Sequence, residues 1–556
     1  MIAKLSSSKR IIKLNNHEII FLSVSPLILM LDSRVSLCFS LFLLTLANYK
    51  GKSSASAFAT SFVAFTGLNW LIATYGHFLY LDLYSNEHYV KLFEFLTILV
   101  LFLKEKLEGS VFQFDAKHLL KVAAFCSAPI IWQFFETIRK ITIFIQGWDH
   151  LGGHLYVTNQ ILNSGFARMF PSDYVSSAPK AFHSLAASFL VETQSGVQRI
   201  LGLLDLEIYI FICLVISIVG SLRTKNTNSE WFYLVVVSSL ISGPLIGWLI
   251  WMGYPTFALS IVCLITLVNL AEKARNSALF FLSAIATVQA WTLLLPIVLI
   301  IYANAILQGR YTTKYDRMAF ALFFLLSTPP AISILKYNEL NQFSEGSRFG
   351  GTLAHALFAL NFILFISAQK SNVSKPSLSY AIRGTFLLAL ILFVLQFESE
   401  LTIPYYSFKL LYLNVFLGLK LVRECGYPKF RVRQTKFMNS AFVLISIFVI
   451  MLPIPGAGQN VMQFLFGKNV NYDFVSQSIM KIDKDATKRN YLVYDTTGES
   501  SRASLFQGAM GYTRAIPASY LLTNNLEQIC EYVENAVDLQ ILEKNTDNLL
   551  QQCENS

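Results

Sequence analysis

The side chains best suited to chemistry fall in one short stretch, "GWDHLGGHLYVTNQILNSG" at 147–165, which carries Asp149, His150 and His154. His183 follows in "SDYVSSAPKAFHSLAASFL" at 172–190. A carboxylate and imidazoles are the groups that take and return protons near neutral pH. They are also the donor types that hold a divalent cation, with Asp149 and His154 as the ligands to consider. Their spacing fits no metal signature, so a metal requirement stays open. Asp149 has a plainer role available too, as the cap of a following helix. Beyond it, His154, Val157, Ile161 and Leu162 recur at helical spacing. That pattern predicts a short helix along a membrane boundary, with its apolar face in that boundary.

A second set of residues suits the binding of an anion. Lys409 lies in "IPYYSFKLLY" at 403–412, behind Tyr405 and Tyr406. A Lys one turn inside an apolar segment either sends its ammonium to the lipid headgroups or binds an anion in a cavity. Arg348 sits in the Gly-flanked loop "SEGSRFGG" at 344–351. Such a loop either closes over a substrate or is simply solvated. Glu398 and Glu400 flank the same mouth and read as solvated groups. "WMGYPTF" at 251–257 and the segment from Gln289 to Trp291 add aromatics at the same level. Membrane boundaries favour Trp and Tyr in any case, and such rings also stack on sugars.

These residues are positioned by membrane helices. The 556-residue chain is 54% hydrophobic and 14% charged, against about 25% charged in soluble domains. Its mean hydropathy is +0.51. The apolar residues come in blocks rather than stripes, such as "IYIFICLVISIVG" at 208–220 and "FLLALILFVLQF" at 386–397. Blocks near 18–20 residues match a bilayer core of about 30 Å. The chain is therefore expected to be an all-α polytopic membrane protein with about 13–15 membrane segments. Spans are expected near 19–31, 35–47, 56–75, 88–103, 122–136, 201–222, 231–249, 254–270, 278–302, 318–335, 352–368, 379–397, 405–421 and 439–453.

Lys and Arg set the expected orientation, because they collect in short cytoplasmic loops. The basic tail 1–18, Lys50 and Lys52, Lys104 to Lys121, Arg223 and Lys225, Lys273 and Arg275, Arg310 to Arg317, and "KLVRECGYPKFRVRQTK" at 420–436 mark one side. A single span at 278–302 would put two of these loops on opposite sides. The conflict disappears if 278–302 is a re-entrant hairpin of two short helices turning near Gln289 to Trp291. Buried re-entrant backbone is tolerated where protein or a water-filled cavity surrounds it. The N-terminus is then cytoplasmic, while 137–200 and everything after 453 are extracytoplasmic. Residues 1–455 form the membrane domain, with 137–200 as its outer catalytic loop. "LPIPGAGQN" at 452–460 is a linker. The tail 456–556 is expected to be a small α/β module with a strand at 490–497 and a helix at 525–545. Cys530 and Cys553 are the two cysteines of that face, and their pairing stays open. The net charge of +10 comes mostly from the inner loops and fits contact with anionic lipid, not nucleic acid.

The series Asp149, His154, Ile161, Gly165 and His183 resembles a motif of GT-C-type glycosyltransferases. It is closest to an actinobacterial multi-pass envelope family of arabinofuranosyl- and mannosyltransferase type. That pattern runs Asp, His a few residues on, Ile-x-x-x-Gly, then a Tyr and a His. Where those proteins carry Tyr-Pro-x-x-His, this chain has "YVSSAPKAFH", so no role is carried over to Tyr174. The resemblance implies a GT-C-like fold and a polyprenyl-phosphate-linked sugar donor. The acceptor would be an envelope glycan, lipid or protein on the outer face. Asp149 would be the catalytic base, and His154, His183, Lys409, Arg348, Tyr405 and Tyr406 would line the substrate site. Two other classes remain: a transporter or flippase for a lipid-linked glycan, and a non-catalytic membrane scaffold. A transporter would show internal repeats and midplane charges. This chain shows no repeat, and its ionisable residues gather at one face.

Overall fold

The structure is a computed structural model that describes residues 54–76, 180–190, 196–219, 254–273, 277–337 except 312, 352–371, 376–395 and 403–425. It also describes 491–495, 515–517, 538–541 and scattered residues of 96–99, 154–162 and 245–249. The described membrane region is almost entirely helical. Its helices are α1 (Ser54–Gly76), α2 (Lys180–Leu190), α3 (Gly196–Val219), α4 (Pro255–Lys273), α5 (Ser277–Ala290), α6 (Leu295–Leu307), α7 (Lys314–Tyr337), α8 (Thr352–Ser371), α9 (Pro376–Leu395) and α10 (Tyr405–Cys425). Among the described residues, three helices are long and apolar enough to cross a membrane, at Ala57–Tyr75, Pro255–Glu272 and Pro376–Leu395. The expected spans 201–222, 318–335, 352–368 and 405–421 fall on α3, α7, α8 and α10, while 19–31, 35–47, 122–136 and 439–453 lie outside the described residues and 88–103 and 231–249 are described only at scattered positions.

α4 is the central helix and packs against α1, α3, α5, α6 and α9. It is apolar all round, as a helix enclosed by others must be. α7, α8 and α9 present the opposite case. Met318, Leu322, Phe324 and Leu325 on α7 are exposed, as are Phe362 and Ile363 on α8 and Ile391 and Val394 on α9. An apolar exposed surface of that extent belongs against lipid, not water. Several hydroxyls inside the helices turn back on their own carbonyls. Thr66 donates to Phe62 O at 2.9 Å, Thr287 to Ser283 O at 2.7 Å and Thr385 to Ala381 O at 2.7 Å. Backbone and side chain are thereby satisfied without water.

The hairpin expected at 278–302 is present. α5 ends at Ala290, Trp291 leaves the helix, and a 3-10 turn at Thr292–Leu294 leads into α6. α6 closes at Gly309, whose φ of 70° suits glycine. Arg310 N donates back to Ala305 O and Gly309 N to Ile306 O, the pair of bonds of a Schellman cap. The turn delivers Arg310 to the carbonyl of Ala271, with Tyr311 donating to Leu270 O at 3.3 Å. The hairpin thus leaves and returns at the C-terminal end of α4. Its tip reaches the other end, where Trp291 meets Phe257 with ring centroids 5.1 Å apart. Burial, with Tyr302 and Asp316 close by, holds the Tyr311 phenol above its ordinary range, so it stays a neutral donor.

One carboxylate ties the hairpin end together. Glu272 pairs with Arg310 at 3.2 Å and accepts the N–H groups of Ser377 at 2.6 Å and Leu378 at 3.4 Å. It therefore caps the N-terminus of α9 with negative charge, where the helix dipole favours it. Thr313 and Asp316 cap α7 reciprocally: Thr313 N donates to Asp316 Oδ2 at 2.9 Å, and Asp316 N to Thr313 Oγ1 at 3.2 Å. On the far side of α5, Gly67 of α1 lies directly on the backbone of Leu282. A close helix crossing of this kind needs a residue without a side chain.

In the tail, β1 (Tyr491–Asp495) lies between β2 (Ala515–Pro517) and β3 (Asp538–Ile541), all parallel. β1 matches the strand expected at 490–497. The helix expected over 525–545 is corrected at Asp538–Ile541, which pairs with Tyr491–Tyr494. Pairing with a strand some 45 residues upstream overrides the local helical pattern there.

Candidate functional site

The site grows from the first turn of α4. Tyr254 N donates to Leu249 O at 3.1 Å, and Tyr254 O accepts from Ala258 N at 3.0 Å, so Tyr254 caps the helix. Pro255 fills the first helical position, where its fixed φ suits a helix start and its missing N–H costs nothing. This start fans out Tyr254, Thr256 and Phe257. α10 begins beside it: Phe408 N donates to Pro404 O at 2.9 Å. Tyr254 and Tyr405 stand edge to face at 5.9 Å, and Tyr405 meets Tyr406 at 5.0 Å.

Lys409 enters this ring set from α10. Its Nζ lies 3.6 Å from the Tyr254 ring centroid, 4.2 Å from that of Tyr405 and 5.5 Å from that of Phe257. The side chain is only 9% exposed. Of the two roles open to it, reaching for headgroups is the one this placement disfavours. The ring faces attract the ammonium by about 2 kcal/mol in a desolvated setting. The positive ends of α4 and α10 oppose it by about 0.3–1 kcal/mol each at most exposed sites. The ammonium and the starts of α4 and α10 place positive charge together at this turn, the kind of setting that favours an anion.

The imidazoles adjoin the same turn. His154 Nδ1 and His183 Nε2 are 3.0 Å apart, so one ring donates and the other accepts. Thr256 Oγ1 lies 3.3 Å from His154 Nδ1, which ties the pair to α4. Phe182 packs edge-on against both rings, at 5.5 Å and 5.6 Å. His183 is fully buried in the first turns of α2, while His154 is half-buried. The Thr158 hydroxyl donates to His154 O at 2.8 Å, a side-chain bond across one turn. Ile161, expected to face the membrane boundary, is instead buried in the protein core.

His154, His183, Lys409, Tyr405 and Tyr406 therefore gather around the start of α4. Asp149, Arg348, His150, Tyr174, Glu398 and Glu400 lie outside the described residues, as do Cys530 and Cys553. Among the described residues, no group of three His, Cys, Asp or Glu side chains could hold a metal ion. Sequence reasoning noted the aromatics of 251–257 but missed Thr256 as the link between the two clusters. A Thr in an apolar helix start carries no signal of its own. No protein family, no curated protein and no solved structure matches this chain.

Proposed function

We propose that this chain is a membrane-embedded glycosyltransferase of GT-C-like design. It moves a sugar from a polyprenyl-phosphate donor to an envelope glycan, lipid or protein acceptor on the outer face. The observation that carries this reading is Lys409. A buried ammonium set among aromatic rings, at the positive ends of two helices and beside a histidine pair, suits a phosphate whose lipid tail lies in the bilayer. The acceptor oxygen attacks the anomeric carbon, and the bond from that carbon to the phosphate oxygen breaks. The electron pair leaves with the polyprenyl phosphate, where Lys409 offsets the growing charge. Asp149, five residues before His154, takes the proton from the acceptor hydroxyl. The His154–His183 pair orients the acceptor, Tyr405 and Tyr406 shape the donor channel, and the loop of Arg348 closes over it. The N-terminus is cytoplasmic, and the tail 456–556 is an extracytoplasmic α/β module. Any divalent cation would sit near Asp149 and His154.

The test is transfer in nanodiscs from a radiolabelled polyprenyl-phosphoryl sugar, reading release of the lipid phosphate. Asp149→Asn should lower the rate by about 10²–10⁴-fold at normal expression. Movement of the intact lipid between leaflets without cleavage would favour a flippase. Neither activity would leave a scaffold.

A further inference from the structure

The hairpin tip carries polar groups that its fold does not use. Gln289 is 2% exposed and Thr292 is 7% exposed. Gln289 Nε2 and Thr292 Oγ1 meet no hydrogen-bond partner among the described residues. Leaving such groups unmatched in a buried site costs roughly 1–3 kcal/mol each. Unmatched buried hydroxyls occur elsewhere too, at Thr266 and Thr328 for example, but at the tip an amide and a hydroxyl lie three residues apart across a break in the helix. Thr287, one turn before the break, gives its hydroxyl to Ser283 O at 2.7 Å. Thr292 lies just past the break and has no such bond.

Position links these groups to the anion pocket. Gln289 and Thr292 flank Trp291, whose ring meets Phe257 at 5.1 Å. Phe257 in turn lies 5.5 Å from Lys409 Nζ. The indole and the ammonium thus both contact the Phe257 ring, one from α5–α6 and one from α10. α1 adds a third group. Gly67 lies on Leu282, and Tyr75 donates to Leu326 O at 3.3 Å, part-way along α7 towards the tip. α1 and α5 therefore run in the same direction. Seven residues on from that crossing, two turns in each helix, come Thr74 and Gln289. Thr74 Oγ1 is likewise buried and unmatched among the described residues.

An amide donor, two hydroxyls and an indole are the groups that recognise the hydroxyls and apolar face of a sugar ring. All are uncharged. We propose that the hairpin tip is the sugar subsite of the donor: Gln289, Thr292 and Thr74 hold the hydroxyls of a neutral sugar while Lys409 holds its phosphate. This rests on the transferase reading above. A site built to hydrogen-bond a hydroxyl rejects an analogue lacking it, because its own polar groups are then left unmatched.

The experiment measures equilibrium binding of tritiated farnesyl phosphate, farnesyl-phosphoryl-mannose and farnesyl-phosphoryl-arabinofuranose to the full chain in nanodiscs. Wild type should bind at least one sugar-bearing lipid more tightly than farnesyl phosphate. Gln289→Leu and Thr292→Val should each weaken that sugar-bearing lipid by roughly tenfold and leave farnesyl phosphate unchanged. The unchanged arm also shows that the variants fold, and Thr292→Val is close to isosteric. Variants that bind every lipid as wild type does would overturn the subsite. So would wild type that binds bare and sugar-bearing lipids equally, an outcome that leaves the transferase reading standing. Wild type that binds none of the three would overturn both.

Discussion

Replacing Lys409 by Met separates charge from packing at the centre of the site. Met keeps the length and apolar stem but removes the ammonium that lies 3.6 Å and 4.2 Å from the Tyr254 and Tyr405 ring centroids. Two contributions act on stability in opposite directions. The lost attraction to the rings costs about 2 kcal/mol. The gain comes from no longer burying a cation near two helix N-termini, a relief of the same order. Thermal stability in detergent should therefore change little, by about 1 kcal/mol or less. Donor binding has no such compensation. A charge-assisted bond to a phosphate is worth about 1.5–3 kcal/mol, which at about 1.4 kcal/mol per decade is a loss of roughly 10- to 150-fold in affinity. Lys409→Arg keeps the charge, but its planar fork stacks differently on the tyrosines, so it should fall between the two. The assay is the donor-concentration dependence of transfer in nanodiscs for the three proteins. Equal apparent donor affinity for wild type and the Met variant would refute the phosphate role and leave Lys409 as a packed cation only.

Other expectations follow from the frame around the site. Gly67→Ala places a Cβ 2.1 Å from Leu282 O, a backbone atom that cannot swing aside. The α1–α5 crossing should open at a cost of about 1–3 kcal/mol or more, read as a lower melting temperature in detergent. Glu272→Ala removes the ion pair with Arg310 and the cap on Ser377 and Leu378 together. A loss of about 1–3 kcal/mol is expected, because the α9 N–H groups and part of the Arg310 guanidinium lose their acceptor; an unchanged melting temperature would make the junction ornamental. Single cysteines introduced near 170 and 520 should react with an impermeant reagent on intact cells, and one near 430 should not. Labelling at 430 would invert the orientation.

The hairpin was legible in the sequence through a conflict of charge: basic loops on both sides of 278–302 cannot share one face if that segment crosses once. Its break at Trp291 falls within the turn expected near Gln289 to Trp291. Lys409 was legible only as a choice between two fates. The deciding partners, Tyr254 and Phe257, come from a helix about 150 residues earlier, and no local spacing reports that contact. Glu272 escaped for the same reason. In sequence it is one acid beside a basic loop, yet it caps a helix that begins more than a hundred residues later. The strand at Asp538–Ile541 was hidden inside a helical pattern, since its pairing partner lies in β1.

The two histidines show where sequence and structure meet. Their types marked them as candidates for acid–base chemistry, but His183 alone, fully buried in an apolar helix, is what an ordinary core histidine looks like. The contact with His154 Nδ1 at 3.0 Å changes that. Two imidazoles in direct contact couple their tautomers: when one nitrogen donates, the facing nitrogen must be bare to accept. Thr256, 3.3 Å from His154 Nδ1, fixes the pair against α4. The orientation of both rings is thus set by the same helix turn that supplies Tyr254 and Phe257 to Lys409. The histidine pair and Lys409 share one support, and a shift of that turn would move both together.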